Sequence, residues 1–258
     1  MNQPLAFISP EAKIHPSVEI GPFTTIEGNV EIGEGTKIMS NVTIMSGARI
    51  GKNCTIFPGA VVGGIPQDLK FKGEDSVAIV GDHTVIRECV TIHRGTASKG
   101  KTVVGNHCLI MAYCHVAHDC EVGNYVIMSN AVQLGGEVIV DDYAVIGGGA
   151  LVHQFCHLGK NVMIQGGALI NKDIPPYVKA AHEPISFNGI NSIGLRRKEF
   201  TDEQVNTIHD VYRYLYLSGM NFADAIQKIE EELPATPERD EIVEFVKSSK
   251  RGIIRGNC

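Results

Sequence analysis

A six-residue period governs most of this chain. In the register that starts at Ile8, 25 of the 28 positions up to Ile170 are Ile, Val, Leu or Met; the exceptions are Asp68, Glu74 and Ser98. A helix repeats every 3.6 residues and a strand every two, so neither produces such a column. A solenoid of short flat faces does. Four residues after the first column runs a second, small or β-branched throughout its regular stretches, as at Val18, Thr36, Cys54, Cys108, Val126 and Ala144. Glycine often follows the aliphatic, as at Gly51, Gly81, Gly105 and Gly123. The pattern predicts a triangular prism in which each hexad forms one short parallel strand and turns a corner. The aliphatic points inward, and glycine, Asn or Asp relieves the backbone at the corner. Three hexads close a coil of 18 residues, and coils stack about 4.8 Å apart.

This repeat resembles the hexapeptide-repeat left-handed parallel β-helix; the hand comes from the resemblance, since the period carries none. The chain is therefore expected to be mainly β: a β-helix over residues 1–175, followed by a linker and a small C-terminal α-helical domain over 176–258. The period stops at Pro175-Pro176. A linker is expected to about Phe200. Thr201 with Gln204 reads as a capping box for a helix through Leu217, stopped by Gly219. Asn221 caps a second helix ending near Leu233, and Pro237 opens a third that runs to about Lys250.

A net charge of -6 argues against a nucleic-acid binder. No apolar run reaches transmembrane length, and Met1–Ser9 lacks the charged start of a signal peptide. Five of the seven Cys (Cys54, Cys108, Cys114, Cys120, Cys156) fall in the small inward column. They read as reduced core residues, neither disulfides nor a metal site, and fit a cytoplasmic protein.

Two ejected loops interrupt the solenoid, near 64–79 and 94–103. The first brings charge into an apolar column through Gln67-Asp68-Leu69-Lys70 and Lys72-Gly73-Glu74, a natural place for binding residues. Among ten His, His15, His83, His107, His157 and His209 read as ordinary surface or corner residues. His118 lies two residues after the inward Val116 and so faces outward. Adding one coil to His118 gives Gly136, and adding another gives Gln154. A base about 5 Å from an approachable glycine N–H is the minimum for acyl transfer. Asp119 follows, though adjacency alone proves no orienting bond. His93, His115, His118 and His153 could alternatively hold zinc, as in β-helical carbonic anhydrases. A non-enzymatic scaffold would predict regular outward Thr columns and no charged loop.

Four stretches then match a known family in order and spacing: Gln67-Asp68-Leu69-Lys70, Ile92-His93-Arg94-Gly95-Thr96, His115-Val116-Ala117-His118-Asp119-Cys120 and Val152-His153-Gln154-Phe155. Together with Gly194-Leu195-Arg196-Arg197 they resemble the UDP-N-acetylglucosamine O-acyltransferases of lipid A synthesis, over essentially the whole chain. The resemblance implies transfer of an (R)-3-hydroxyacyl group from acyl carrier protein to the glucosamine 3-hydroxyl of UDP-N-acetylglucosamine. It implies His118 as general base and the Gly136 N–H as oxyanion donor. Asp68 and Lys70 would meet the sugar; His115, His153, Gln154, Asn191, Arg196 and Arg197 would meet nucleotide, phosphate or acyl donor. Gly166 falls at the acyl-chain ruler, where glycine leaves room for a long chain. No metal and no cofactor is expected beyond the carrier's phosphopantetheine. A homotrimer is implied, with sites between subunits and a basic surface for the acidic carrier drawn from Arg196, Arg197, Lys198, Lys247, Lys250, Arg251 and Arg255. Glu137 and Ile193 depart from the family pattern. Among rivals, the N-acyltransferase relative carries a uridine-binding domain ahead of its β-helix, whereas the repeat here begins at Ile8. Acyltransferases using acetyl- or succinyl-CoA explain the motif set poorly.

Overall fold

A computed structural model describes residues 5–256; the first four residues of the Met1–Ser9 stretch lie outside the described residues. Hexads become two-residue strands separated by corners, and every third strand pairs in parallel. Among the described residues the result is three sheets of nine, eight and eleven strands. The first face runs from Phe7–Ile8 to Leu169–Ile170, the second from Lys13–Ile14 to His157–Leu158, and the third starts at Glu19–Ile20. Coil height is the expected 18 residues: His115 pairs with Gln133, and Gln133 with Leu151. From Ile26 to Ile170 the inward aliphatics outside the loops are buried, whereas Ile8, Ile14 and Ile20 in the terminal coil are only half-buried.

The second column does more than fill space. Thr36 and Thr84 donate their hydroxyls to Gly51 and Gly105 carbonyls at 2.8 and 2.7 Å. Cys54, Cys108 and Cys120 direct their thiols at the Gly81, Gly123 and Gly135 carbonyls at 3.1 Å. Thr and Cys are thus interchangeable here as small side chains carrying a donor for the next coil's corner. Burial pushes the Cys120 thiol up to about 12, which keeps it protonated and inert.

Gly35, Gly59, Asn41 and Asn53 relieve left-handed corners as expected, but the glycines directly after the aliphatic serve a different purpose. A β-carbon on Gly51, Gly81 or Gly105 would lie within 3.0 Å of the next coil's backbone. Close approach, not backbone relief, demands them. The left-handed conformation falls two residues later, on His83, His107 and Tyr125 (φ 57, 55 and 55).

The ejected loops span 65–76 and 94–100, slightly narrower than expected, because Val61–Gly64, Val77–Val80 and Lys101–Val104 rejoin the sheets. The linker is largely structured. Val178–Ala181 joins the third sheet, Ser186–Ile190 returns antiparallel to it, and Arg255–Gly256 closes the edge. Helix α1 (Ser192–Arg196) follows. Helices α2 (Asp202–Leu217), α3 (Phe222–Glu232) and α4 (Pro237–Ser248) match the expected caps: the Thr201/Gln204 box, Asn221, and Pro237 in the first turn. They cover the otherwise open strand edge. The Tyr212 hydroxyl donates to the Pro176 carbonyl at 2.5 Å, Tyr216 to that of Ile254 at 2.9 Å, and Tyr177 bonds Glu241.

Candidate active site

The corner joining the first face to the second carries Ala117, His118 and Asp119, between Val116 and Glu121. Asp119 takes the left-handed corner position at φ 59, which Asp tolerates better than most residues. Its side chain is 0% exposed. Four donors nevertheless reach the carboxylate. Oδ1 accepts from the Thr96 N–H at 2.9 Å and the Lys99 N–H at 3.2 Å. Oδ2 accepts from the Thr96 hydroxyl at 2.6 Å and from His118 Nδ1 at 2.8 Å. Burial pushes the Asp119 pKa up, but the bonds from Thr96, His118 and Lys99 together outweigh it and hold the group below the ordinary carboxylate range. An ionised carboxylate only accepts, so the neutral form of the His118 imidazole carries its proton on Nδ1 and presents a bare Nε2. The orienting bond that adjacency left open is present.

The His118 ring lies against Gly136. A β-carbon on Gly136 would stand 2.6 Å from both Cε1 and Nε2 of the imidazole. Stacking of the two corners shows in the backbone, where the Glu137 N–H donates to the His118 carbonyl at 3.0 Å and the Phe155 N–H to that of Gly136 at 3.1 Å. Among the described residues the Gly136 N–H has no backbone hydrogen-bond partner. The corner N–H groups of His118 and Gln154 likewise have no backbone partner, whereas that of Ser46 goes to Glu27 Oε2 at 2.7 Å; the imidazole beside it distinguishes Gly136. Glu137 accepts from the Ser98 hydroxyl at 3.2 Å, so its side chain belongs to the second loop.

A groove of about 640 Å³ opens over this corner and crosses the first face, with His93, His115, His118 and Gln133 at one end. Gly136, His153, Gln154 and Asn171 continue it, and Leu151, Leu169 and Ile170 supply an apolar wall. His115 Nδ1 is 2.7 Å from the Thr91 hydroxyl, and His93 meets His115 edge-on at 4.7 Å. Burial, with lesser contributions from His115 and His118, lowers the His93 pKa from 6.5 to about 4. Burial and then His118 lower that of His115 as well. Both rings are therefore neutral near pH 7 and do not compete with His118 for a proton. Among the described residues no group of three or more His, Cys, Asp or Glu is placed to hold a metal ion.

His115, His118, Gly136, His153 and Gln154 thus share one groove. The remaining expected residues lie elsewhere on the chain. Asp68 and Lys70 stand on the first loop, where Asp68 Oδ1 accepts from the Lys70 N–H at 2.9 Å while neighbouring Gln67 reaches the groove wall. Asn191 caps α1, and its amide donates to the Asn161 carbonyl at 3.0 Å. Arg196 pairs with Asp202 at 3.3 Å. Arg197 lines a separate cavity of about 420 Å³ with Tyr143, Lys160 and Lys198, at the corner between the second and third faces. Gly166 is exposed at the third corner, its β position 3.1 Å from the Gly148 carbonyl oxygen. Of the basic surface residues, Lys247 pairs with Glu230 at 2.6 Å and Arg251 donates to the Asn171 carbonyl at 3.2 Å. The sequence reading did not single out Thr96, Gln133 or Asn171. The last two lie one coil beyond His115 and His153, so the step that found Gly136 also finds them.

Residues 173–254 match the family model described as UDP N-acetylglucosamine O-acyltransferase, domain 2. Residues 101–136 match the bacterial transferase hexapeptide model, and residues 2–103 a GMPPB C-terminal domain. The chain is 43% identical over 253 residues to the acyl-(acyl-carrier-protein)–UDP-N-acetylglucosamine O-acyltransferase of Myxococcus xanthus, covering 98% of each chain. It is 52% identical over 199 residues to the enzyme of that name from Trichlorobacter lovleyi, covering 76% of each. The crystal structure of UDP-N-acetylglucosamine acyltransferase from Bacteroides fragilis superposes with a TM-score of 0.97 at 56% identity, over 99% of this chain and 100% of that one. The Francisella novicida structure gives 0.96 at 43%, over 99% and 94%. The β-helix of these structures is left-handed, and so is this one.

Proposed function

The chain belongs to the UDP-N-acetylglucosamine O-acyltransferase family, and on that premise we propose that it moves an (R)-3-hydroxyacyl group from acyl carrier protein to the glucosamine 3-hydroxyl of UDP-N-acetylglucosamine. The observation that carries the mechanism is the His118 imidazole, fixed between the buried Asp119 carboxylate and Gly136. Nε2 takes the hydroxyl proton as the sugar oxygen attacks the thioester carbonyl. The carbonyl oxygen becomes an oxyanion that accepts from the Gly136 N–H. Collapse breaks the C–S bond, and the imidazolium returns its proton to the departing phosphopantetheine thiolate. Asp119 stays ionised, holds the tautomer and stabilises the imidazolium. The carrier's phosphopantetheine serves as the only prosthetic group.

The active unit is a homotrimer with its sites between subunits. The support is topological: base and groove occupy one corner of the prism, while Asn191, Arg196 and Arg197 sit beside another. A threefold ring brings different corners of neighbouring chains together. There the guanidinium forks meet phosphate or the carrier's linker. Asp68 and Lys70 reach the sugar from the first loop, and Gly166 leaves space for a long acyl chain. No helix among the described residues is long and apolar enough to cross a membrane, and the reaction is assigned to the cytoplasm, where the carrier-bound donor would be met.

The test is mass spectrometry of the product from purified protein, UDP-N-acetylglucosamine and 3-hydroxyacyl carrier proteins of graded length. A nucleotide sugar acylated on O3 supports the assignment. Absence of product with every chain length, from folded protein, overturns it.

A further inference from the structure

The carboxylate that orients the base is itself built by the second ejected loop, and the side chain at the centre of that construction is Thr96. This residue is only 6% exposed. It supplies two of the four donors on Asp119, one to each oxygen: its N–H to Oδ1 at 2.9 Å and its hydroxyl to Oδ2 at 2.6 Å. The Ser98 N–H donates to the Thr96 hydroxyl oxygen at 3.2 Å. That oxygen therefore accepts from Ser98 while its hydrogen goes to the carboxylate, which has none to give. The loop is short and braced. The Gly100 N–H closes it on the Thr96 carbonyl at 2.7 Å, and the Ala97 N–H ties it to Glu74 of the first loop at 2.9 Å.

We infer that Thr96 is a positioning residue for the transfer: its hydroxyl fixes the Asp119 carboxylate in the rotamer that locks the His118 proton on Nδ1, so Thr96 sets the turnover rate without touching substrate. The claim rests on the acyltransfer reading for its kinetic consequence and on geometry alone for its effect on the imidazole. A buried carboxylate that loses its shortest donor reorients or takes up a proton, because nothing else replaces that donor in a dry site. Either change loosens the Nδ1–H bond on which the bare Nε2 depends.

Valine copies the shape of threonine without its donor, and serine keeps the donor without the methyl. A packing role ranks Thr96→Val above Thr96→Ser; a positioning role ranks them the other way. Thr96→Val is expected to lower kcat by about 10- to 100-fold while KM for UDP-N-acetylglucosamine stays within about twofold, since only a step after binding is affected. Thr96→Ser should stay near wild type, and Thr96→Ala should repeat the Val result if Val perturbs the loop. In an Asp119→Asn background Thr96→Val should cost nothing further, because both act through one carboxylate. The second readout needs no substrate. Proton–nitrogen NMR of the histidines should show a protected His118 Nδ1–H in wild type and Thr96→Ser, lost in Thr96→Val. Wild-type kcat in Thr96→Val, equal losses in Val and Ser, or independent losses in the double variant overturn the inference. If wild type makes no acylated product, the acyltransfer reading falls, and the NMR comparison alone decides the positioning claim: an unchanged Nδ1–H in Thr96→Val overturns it.

Discussion

Two corners of the same prism are built from the same hexad and do different things. At the corner between the second and third faces, the left-handed positions hold His83, His107, Tyr125 and Tyr143. Their rings stack at 4.7 to 4.8 Å, one per coil, and Lys198 caps the column 3.6 Å above Tyr143. At the corner between the first and second faces the equivalent position holds Asp119, and it is 0% exposed, where Tyr125 is 45% exposed. The difference is the 94–100 loop, which folds over one corner and not the other. Repetition supplies the scaffold and stacks Gly136 one coil beyond His118; the break in repetition supplies a buried, ionised carboxylate and hence an oriented base.

Five substitutions probe that contrast, from the largest expected effect downward. Asp119→Asn keeps the shape but cannot demand a proton from His118 Nδ1, so kcat should fall by about 100- to 10,000-fold under steady-state assay. Gly136→Ala drives a methyl to 2.6 Å from the imidazole and should cost about 100-fold in kcat, with a melting temperature near wild type because the corner is open. Retained activity in either would place the chemistry elsewhere. In the core, Ile92→Ala removes a fully buried side chain and should destabilise by about 2–5 kcal/mol in denaturant unfolding. Ile14→Ala, in the half-buried terminal coil, should cost clearly less. Tyr125→Ala, in the stacked column, should cost about 1 kcal/mol or less and leave kcat unchanged; a large loss of turnover would erase the distinction between the two corners.

Acid sharpens the comparison further. His93 is held neutral down to about pH 4 in the folded protein, against its ordinary 6.5. The unfolded chain therefore binds more protons across that window, and stability falls as pH drops from about 6.5 to about 4. Asp119, with its pKa lowered, adds stability that is present above the unfolded value and lost as pH falls through the folded one. Melting temperatures of His93→Phe should decline less steeply over the His93 window than those of wild type.

Much of the architecture was legible because one physical constraint repeats. The inward aliphatics, the small second column and the coil height all follow from the period, and the coil height alone paired His118 with Gly136. The loops announced themselves as Asp68, Glu74 and Ser98 in an apolar register. What the second loop touches was not legible, since the contact from Thr96 to Asp119 obeys no period. Val178–Ala181 and Ser186–Ile190 were hidden for a related reason: they lie beyond the last hexad, and the second pairs antiparallel. The glycines directly after the aliphatic were visible but misread, because close approach between coils leaves the same residue type as the left-handed turns that Gly35 and Gly59 do make. Asn191, Arg196 and Arg197 were named from resemblance alone, and within one chain they do not reach the groove.

The most direct test of the account is single-turnover acyl transfer by His118→Ala beside wild type, with circular dichroism and oligomeric state measured on both. The account predicts a loss of about 100-fold or more in a protein of unchanged fold and assembly. Transfer at a rate near that of wild type would contradict it, because His118 is the groove imidazole held by the buried Asp119 carboxylate beside Gly136.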